Sequence, residues 1–135
     1  MTSCAVDCES LNTGNDILIL HEIRHALDLL IETNQATTID LRSIPMAPGE
    51  EAKIEEMLGE GEISIKLDAL GPSEIVETGI AGVWLITHRN MEEEVLGKFI
   101  EITKVPSLLA TQEKDLSEGL SRLVDQLTDK TEQLN

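Results

Sequence analysis

Apolar residues recur at helical spacing in two segments of the N-terminal half. From Asp16 to about Asn34 they repeat every three or four residues, which predicts an α-helix with one buried stripe. This stripe consists of Ile19, Ile23, Ala26, Leu27, Leu30 and Ile31. A shorter helix is predicted between Pro48, which suits a first helical turn, and Gly59, which ends the helix. Its inward-facing residues are Ile54, Met57 and Leu58.

Alternation of apolar and polar residues predicts the strands of a sheet. The clearest case is Gly61 to Asp68, where Ile63, Ile65 and Leu67 share one face that we expect to cover a core. Four more runs are strand-like, at residues 37–41, 74–78, 83–88 and 95–103. The last four strands follow one another through short connections, which favours an antiparallel meander.

Leucines predict a long amphipathic helix after Pro106. Its apolar stripe comprises Leu116, Leu120, Leu123, Val124, Leu127 and Leu134. We expect this stripe to be buried and to hold the helix against the rest of the protein.

The predicted fold class is α+β. A sheet with one apolar face, together with helices that each have one apolar stripe, is most simply arranged as two layers. We therefore expect a two-layer sandwich in which a mainly antiparallel sheet of about five strands packs against helices. Residues 1–15 are polar and lack periodicity, so they are predicted to form a flexible N-terminal tail, and residues 16–135 a single domain.

The excess of acidic residues disfavours partners that are themselves negatively charged. Twenty-six acidic and ten basic residues give a formal net charge of −16, which repels phosphate backbones and anionic lipid headgroups. We therefore expect neither a nucleic acid nor a membrane as a partner. The chain has no apolar run near the ~20 residues of a spanning helix and no signal-peptide pattern, so a cytoplasmic location is predicted.

The sharpest local motif is H-E-x-x-H, formed by His21, Glu22 and His25 on the first predicted helix. Two histidines one turn apart can share a zinc ion while the glutamate activates water. The longer form of the motif needs Gly and His where this chain has Asp28 and Ile31. A zinc hydrolase is therefore the less favoured alternative, and we predict a protein that is not an enzyme and has no catalytic residues.

Cys4 and Cys8 are the only cysteines. Two thiolates supply half of a tetrahedral site, so metal binding would also need His21 or His25, a second chain or a partner's cluster. A metal or iron–sulfur carrier that uses this tail stays open as an alternative. The simpler interpretation is that these two cysteines are free thiols in a flexible tail. No resident cofactor is predicted.

Trp84 is one of only two aromatic residues and follows Gly82 and Val83 in a strand-like run. Alternation places its side chain opposite that of Val83. On a partly exposed face Trp84 would anchor a partner, whereas under a helix it would fill a core that is poor in aromatic residues. Both interpretations remain open, and Gly82, Val83 and Trp84 are the candidate partner-binding residues.

Several motifs in order resemble the conserved domain of the HupH/HyaF family of hydrogenase expression and formation proteins. They are His21 to Leu27, Ile39 to Met46, Leu58 to Glu62, Glu77 to Trp84 and Ile100 to Pro106. Together they extend over about residues 17–110. The chain differs from the longer family members in its single predicted domain and in the tail with Cys4 and Cys8.

The resemblance implies an accessory role, as a chaperone, in the maturation of an uptake nickel–iron hydrogenase. The implied partners are the precursor of the iron–sulfur small subunit or other maturation proteins. A homodimer is open for a separate reason, because an exposed leucine stripe on the C-terminal helix would suit a dimer contact. An exported small subunit of this type is expected to carry a twin-arginine signal, and a basic segment of that kind would be attracted by an acidic surface. No catalytic residues carry over from the family.

Overall fold

The computed structural model describes residues 13–68 and 71–134, with side chains up to residue 131, and it forms two compact units that divide after Lys104. The helices of the first unit are α1 (Asn15–Thr33) and α2 (Glu50–Leu58). Its strands are β1 (Thr37–Asp40), β2 (Ser64–Asp68), β3 (Pro72–Glu77), β4 (Val83–Arg89) and β5 (Val95–Ile102). The second unit contains α3 (Glu113–Leu134). In the described part of the chain, no helix combines the length and the apolar character that crossing a membrane requires.

The strands form one five-stranded sheet in the order β1-β5-β4-β3-β2, and all neighbours are antiparallel. Strands β2 to β5 form the predicted meander. Strand β1 joins the opposite edge, where Thr37 lies across from Ile102 of β5. The predicted α+β class with an antiparallel sheet of about five strands is confirmed.

The main hydrophobic core lies between the two helices of the first unit and strands β1, β4 and β5. Its buried members are Ile19, Ile23, Ala26, Leu30, Ile39, Leu41, Ile54, Leu58, Val83, Ile100 and Ile102. The core is wholly aliphatic, as expected from a chain with two aromatic residues. Each of the buried Leu, Ile and Val side chains stabilises the fold by about 1.5–3 kcal/mol relative to an exposed one.

The opposite face of the sheet also buries apolar side chains. Ile75 and Ile86 are neighbours across β3 and β4, and Phe99 of β5 follows in the same row. Ile75 and Ile86 are buried, and the ring of His88 contacts Phe99 edge-on with 5.7 Å between centroids. The expectation of a single apolar face was therefore too simple, because the middle of the sheet is buried on both sides.

Two polar connections position α2. Its first residue, Glu50, accepts hydrogen bonds from the Thr13 hydroxyl (2.6 Å), the Gly14 amide (3.1 Å) and the Ala47 amide (2.6 Å). The carboxylate therefore caps the start of α1, where the N-cap residue Gly14 has no side chain to do so. Further along α2, Glu51 and Glu55, which are one turn apart, lie 2.8 and 3.0 Å from the Lys98 ammonium of β5.

Some residues predicted to be buried are exposed instead. Ile31 is 80% exposed and Met57 is 67% exposed. Each is next in sequence to a leucine, Leu30 or Leu58, that occupies the core position. Consecutive side chains of a helix point about 100° apart. The leucine and the residue next to it therefore cannot both face the core. Ile63, before the start of β2, is also exposed.

The leucine stripe of α3 is exposed as well, contrary to its predicted burial. Leu116, Leu120, Leu123, Val124 and Leu127 are each 50–65% exposed. The apolar period correctly predicts an amphipathic helix over these residues. It does not specify what packs against the stripe, because the same period suits burial within one chain and burial between chains.

Candidate partner-binding cleft

A surface cleft of about 660 Å³ lies between the C-terminal end of α1 and the turn that joins β3 to β4. We call it the Trp84 cleft. Its apolar lining consists of Leu27, Leu30, Ile31, Ala81, Gly82 and Trp84. Its polar lining consists of Glu32, Thr33, Asn34, Glu77 and Lys104. The volume is typical of sites that bind small molecules or a few side chains of a peptide.

Trp84 forms a fixed wall of this cleft. Its side chain is 6% exposed, and its indole Nε1–H donates a hydrogen bond to the Thr103 carbonyl at 3.1 Å. A buried tryptophan normally satisfies its N–H in this way, and the bond holds the ring in one orientation. Trp84 therefore presents one surface to the cleft and does not project from the protein.

The β3–β4 turn is organised by the hydroxyl of Thr78. This hydroxyl donates to the Val83 carbonyl at 2.9 Å and accepts from the Ile80 amide at 3.2 Å. The Val83 amide donates to the Ile80 carbonyl, which closes the turn. The Thr103 amide then donates to the Gly82 carbonyl at 2.9 Å. These bonds make the turn a rigid side of the cleft, tied to the end of β5.

The other side of the cleft is the last turn of α1. The helix ends at Asn34, whose backbone is left-handed (φ 61°) and whose amide donates to the Leu30 carbonyl. Helix and turn approach closely at Gly82, where an added Cβ would lie 3.3 Å from Leu27 Cδ2. Gly82 also has φ +88°, a conformation that suits glycine. The cleft is therefore formed by rigid elements and is present before any partner arrives.

The charged residues of the cleft are two acids and one base. They are Glu32, Glu77 and Lys104, and one carboxylate oxygen of Glu77 also accepts a hydrogen bond from the Glu62 amide at 3.4 Å. The apolar wall can accommodate an apolar side chain, while the carboxylates suit a basic residue next to it. The arrangement therefore fits a short peptide segment that combines apolar and basic residues.

The three candidate partner-binding residues have different positions. Trp84 and Gly82 line the cleft, whereas Val83 lies in the main core with no exposed surface. Their role in partner binding stays a prediction. Ile31 and Ala81 also line the cleft and were not identified from the sequence. The pattern placed Ile31 in the buried stripe, and Ala81 carries no distinctive chemistry.

Of the candidate metal residues, His21 and His25 lie one turn apart on α1, and the two cysteines lie outside the described residues. His21, Glu22 and His25 are exposed on α1. Among residues 13–68 and 71–134, no three His, Cys, Asp or Glu side chains are grouped so that they could hold a metal ion. Cys4 and Cys8 fall in the part of the chain that is not described.

A second cavity, of about 260 Å³, lies between the end of α2 and strands β3 and β4. Lys98 lines it and has its ammonium paired with Glu51 and Glu55. Burial lowers the pKa of Lys98, but the hydrogen bonds and charges of these two glutamates outweigh burial and raise it. Through these two ion pairs the ammonium holds α2 on the sheet, and it is therefore not available to an anionic ligand.

Comparison with known proteins gives a consistent result. A family model described as the HupH hydrogenase expression protein, C-terminal conserved region, matches residues 14–129. A solved structure of the hydrogenase expression protein HupH from Thiobacillus denitrificans superposes with a TM-score of 0.83 at 38% identity. That superposition covers 87% of this chain and 98% of the other. The similarity to HupH therefore extends over both sequence and fold.

Two curated relatives are longer than this chain. The hydrogenase expression/formation protein HoxQ of Azotobacter vinelandii is 31% identical over 69% of this chain and 32% of its own length. HupH of Rhizobium leguminosarum bv. viciae is 25% identical over 82% of this chain and 39% of its own length. The matched part is therefore about a third of the length of these relatives.

Proposed function

Because the chain belongs to the family defined by the C-terminal conserved region of HupH hydrogenase expression proteins, we propose that it assists hydrogenase maturation in the cytoplasm by binding a hydrogenase subunit. The partner is the precursor of the iron–sulfur small subunit of an uptake hydrogenase. The protein acts as a chaperone that holds a segment of this precursor, without catalysis of its own.

The observation that carries this proposal is the Trp84 cleft. It is apolar on one wall, carries Glu32 and Glu77, and is held open by the hydrogen bonds of Thr78, Trp84 and Thr103. Sites that are formed before binding lose little conformational entropy when the partner arrives, which favours affinity. A peptide segment with apolar and basic residues is the ligand that such a cleft accommodates best.

The structure changes the part that Trp84 plays in the proposal. A tryptophan that is 6% exposed cannot insert into a pocket of the partner. It instead supplies a flat wall against which an apolar side chain of the partner packs. Ile31, which is exposed at the edge of the cleft, is the residue whose surface the partner covers on binding.

The test is a binding titration between the purified chain and the purified small-subunit precursor. We expect Ile31→Gln to weaken binding at least tenfold, equivalent to ~1.4 kcal/mol, because the variant replaces apolar contact area by an amide. Glutamine is a good helix former, so α1 should stay intact. Ala81→Lys on the opposite side of the cleft should weaken binding similarly, because the added positive charge repels the basic segment of the partner.

Met57→Gln is the matched control, since Met57 is also an exposed apolar residue on a helix and does not line the cleft. It should bind as tightly as the unaltered chain. Equal binding by all three variants would place the contact elsewhere on the protein. An absence of binding to the precursor at micromolar concentration would refute the proposed partner.

A further inference from the structure

Helix α3 exposes its whole described surface. Every side chain from residue 113 to residue 131 is exposed, and the leucine stripe accounts for five large apolar residues. Isolated apolar residues on a surface are ordinary, but a continuous stripe of them marks an interaction site.

The spacing of this stripe is that of a helix-to-helix seam. Leu116, Leu120, Leu123 and Leu127 follow one another at intervals of four, three and four residues. This is the heptad spacing by which two helices interlock their side chains along a shared line. Val124 widens the stripe on one side.

The charges of α3 indicate what covers the seam. The helix positions beside the stripe carry small or uncharged side chains, among them Ser117, Gly119 and Gln126. Its acidic residues Glu118 and Asp125 lie on the opposite face, by helical periodicity. A basic partner helix would be recognised by carboxylates that flank the seam, and α3 has none there between residues 116 and 128.

A second copy of the chain matches this pattern. Two copies with a charge of −16 each repel one another across most of their surfaces. Along the α3 stripe they can approach without placing one acidic residue opposite another. We propose that α3 is a self-association helix, whose leucine stripe packs against the α3 stripe of a second copy to form a homodimer.

The dimer is expected to be weak and dependent on concentration. The next heptad position after Leu127 is Lys130, and a charged residue on such a seam reduces stability while limiting the number of helices that can join. The proposal is independent of the Trp84 cleft, because it uses neither α1 nor the β3–β4 turn.

Sedimentation equilibrium of the full chain over a range of concentrations tests the proposal. We expect the mass to rise from 14.8 kDa towards twice that value as concentration increases. Leu123→Gln and Leu120→Gln should each shift the midpoint of this rise to at least tenfold higher concentration. Both variants keep a good helix former at the substituted position, and circular dichroism would verify the helix.

Ser121→Gln is the matched control, because it introduces the same side chain on the same helix outside the stripe. It should dimerise as the unaltered chain does. A mass of 14.8 kDa at every concentration, or a dimer that survives both leucine substitutions, would overturn the proposal. A monomer whose unfolding is destabilised by Leu123→Gln would assign the stripe to packing within one chain.

Discussion

At the scale of single residues, Glu50 is a buried carboxylate that several hydrogen bonds hold in place. Burial raises the pKa of its carboxyl, but hydrogen bonds from the Thr13 hydroxyl and from the backbone amides of Ala47, Thr13 and Gly14 outweigh burial and lower the pKa from 4.5 to about 2. A glutamate at the first position of α2 is favoured by the helix dipole, and this preference can be read from the sequence alone. The sequence does not indicate that the same carboxylate caps α1, which lies more than thirty residues earlier.

The depressed pKa of Glu50 predicts a specific loss of stability in acid. A carboxyl with a lower pKa in the folded state stabilises the fold fully above the unfolded value of about 4.5, and this contribution is lost as the pH falls towards 2. Glu50→Gln should therefore be less stable at neutral pH and should show a flatter stability profile between pH 5 and pH 2. Urea unfolding at several pH values measures both effects.

Glu56→Gln is the control for Glu50→Gln, since Glu56 is an exposed glutamate on the same helix. Its profile should follow that of the unaltered chain over the whole range. If Glu50→Gln retained the full acid dependence, the capping carboxylate would not be a source of it.

Residues of the cleft were only partly predictable for a similar reason. Period-two alternation correctly set Trp84 opposite Val83, because neighbouring residues of a strand point to opposite faces. The burial of Trp84 depends on the Thr103 carbonyl at the end of β5, which approaches only after the sheet has formed. Local periodicity contains no information about such contacts between distant segments.

At the scale of elements, the helices and strands follow closely from the binary pattern. All three predicted helices and all five predicted strands occur within a few residues of their expected ends. Neighbours in the meander were predictable because short connections bring consecutive strands together. The position of β1 beside β5 was not predictable, since α2 and three strands separate them in the chain. The binary pattern also does not specify which segment packs against each apolar face.

The different surroundings of α2 and α3 can be compared by measuring how one alanine substitution in each helix changes the free energy of unfolding. Ile54 of α2 has no exposed surface, so Ile54→Ala should cost about 2–5 kcal/mol of unfolding free energy. Leu120 of α3 is 65% exposed, so Leu120→Ala should cost close to zero when the chain is dilute and monomeric. Urea titration at low micromolar concentration compares them directly. A large loss for Leu120→Ala under these conditions would show that the stripe is buried within one chain.

At the scale of the whole molecule, the net charge of −16 has opposite effects on the two proposed associations, which are precursor binding and self-association through α3. The partner's basic segment is attracted to the acidic surface, whereas a second copy of the chain is repelled by it. Exposed charges lose most of their influence beyond the screening length, which falls from about 10 Å at 0.1 M salt to about 3 Å at 1 M. Apolar contacts persist at these salt concentrations. The two associations are therefore distinguishable by salt alone.

We expect binding of the small-subunit precursor to weaken as salt rises, mainly through slower association, while dissociation changes little. Self-association through α3 should strengthen over the same range, because screening removes the repulsion between two acidic chains while the leucine seam is retained. Association and dissociation rates measured at 0.1 M and 1 M salt test the first effect, and sedimentation equilibrium tests the second. Leu123→Gln should abolish the salt-induced dimer and leave precursor binding unchanged, and Ile31→Gln should do the reverse. Precursor binding that tightens with salt would exclude steering by the acidic surface, and a dimer that dissociates with salt would identify an ionic interface in place of the leucine seam.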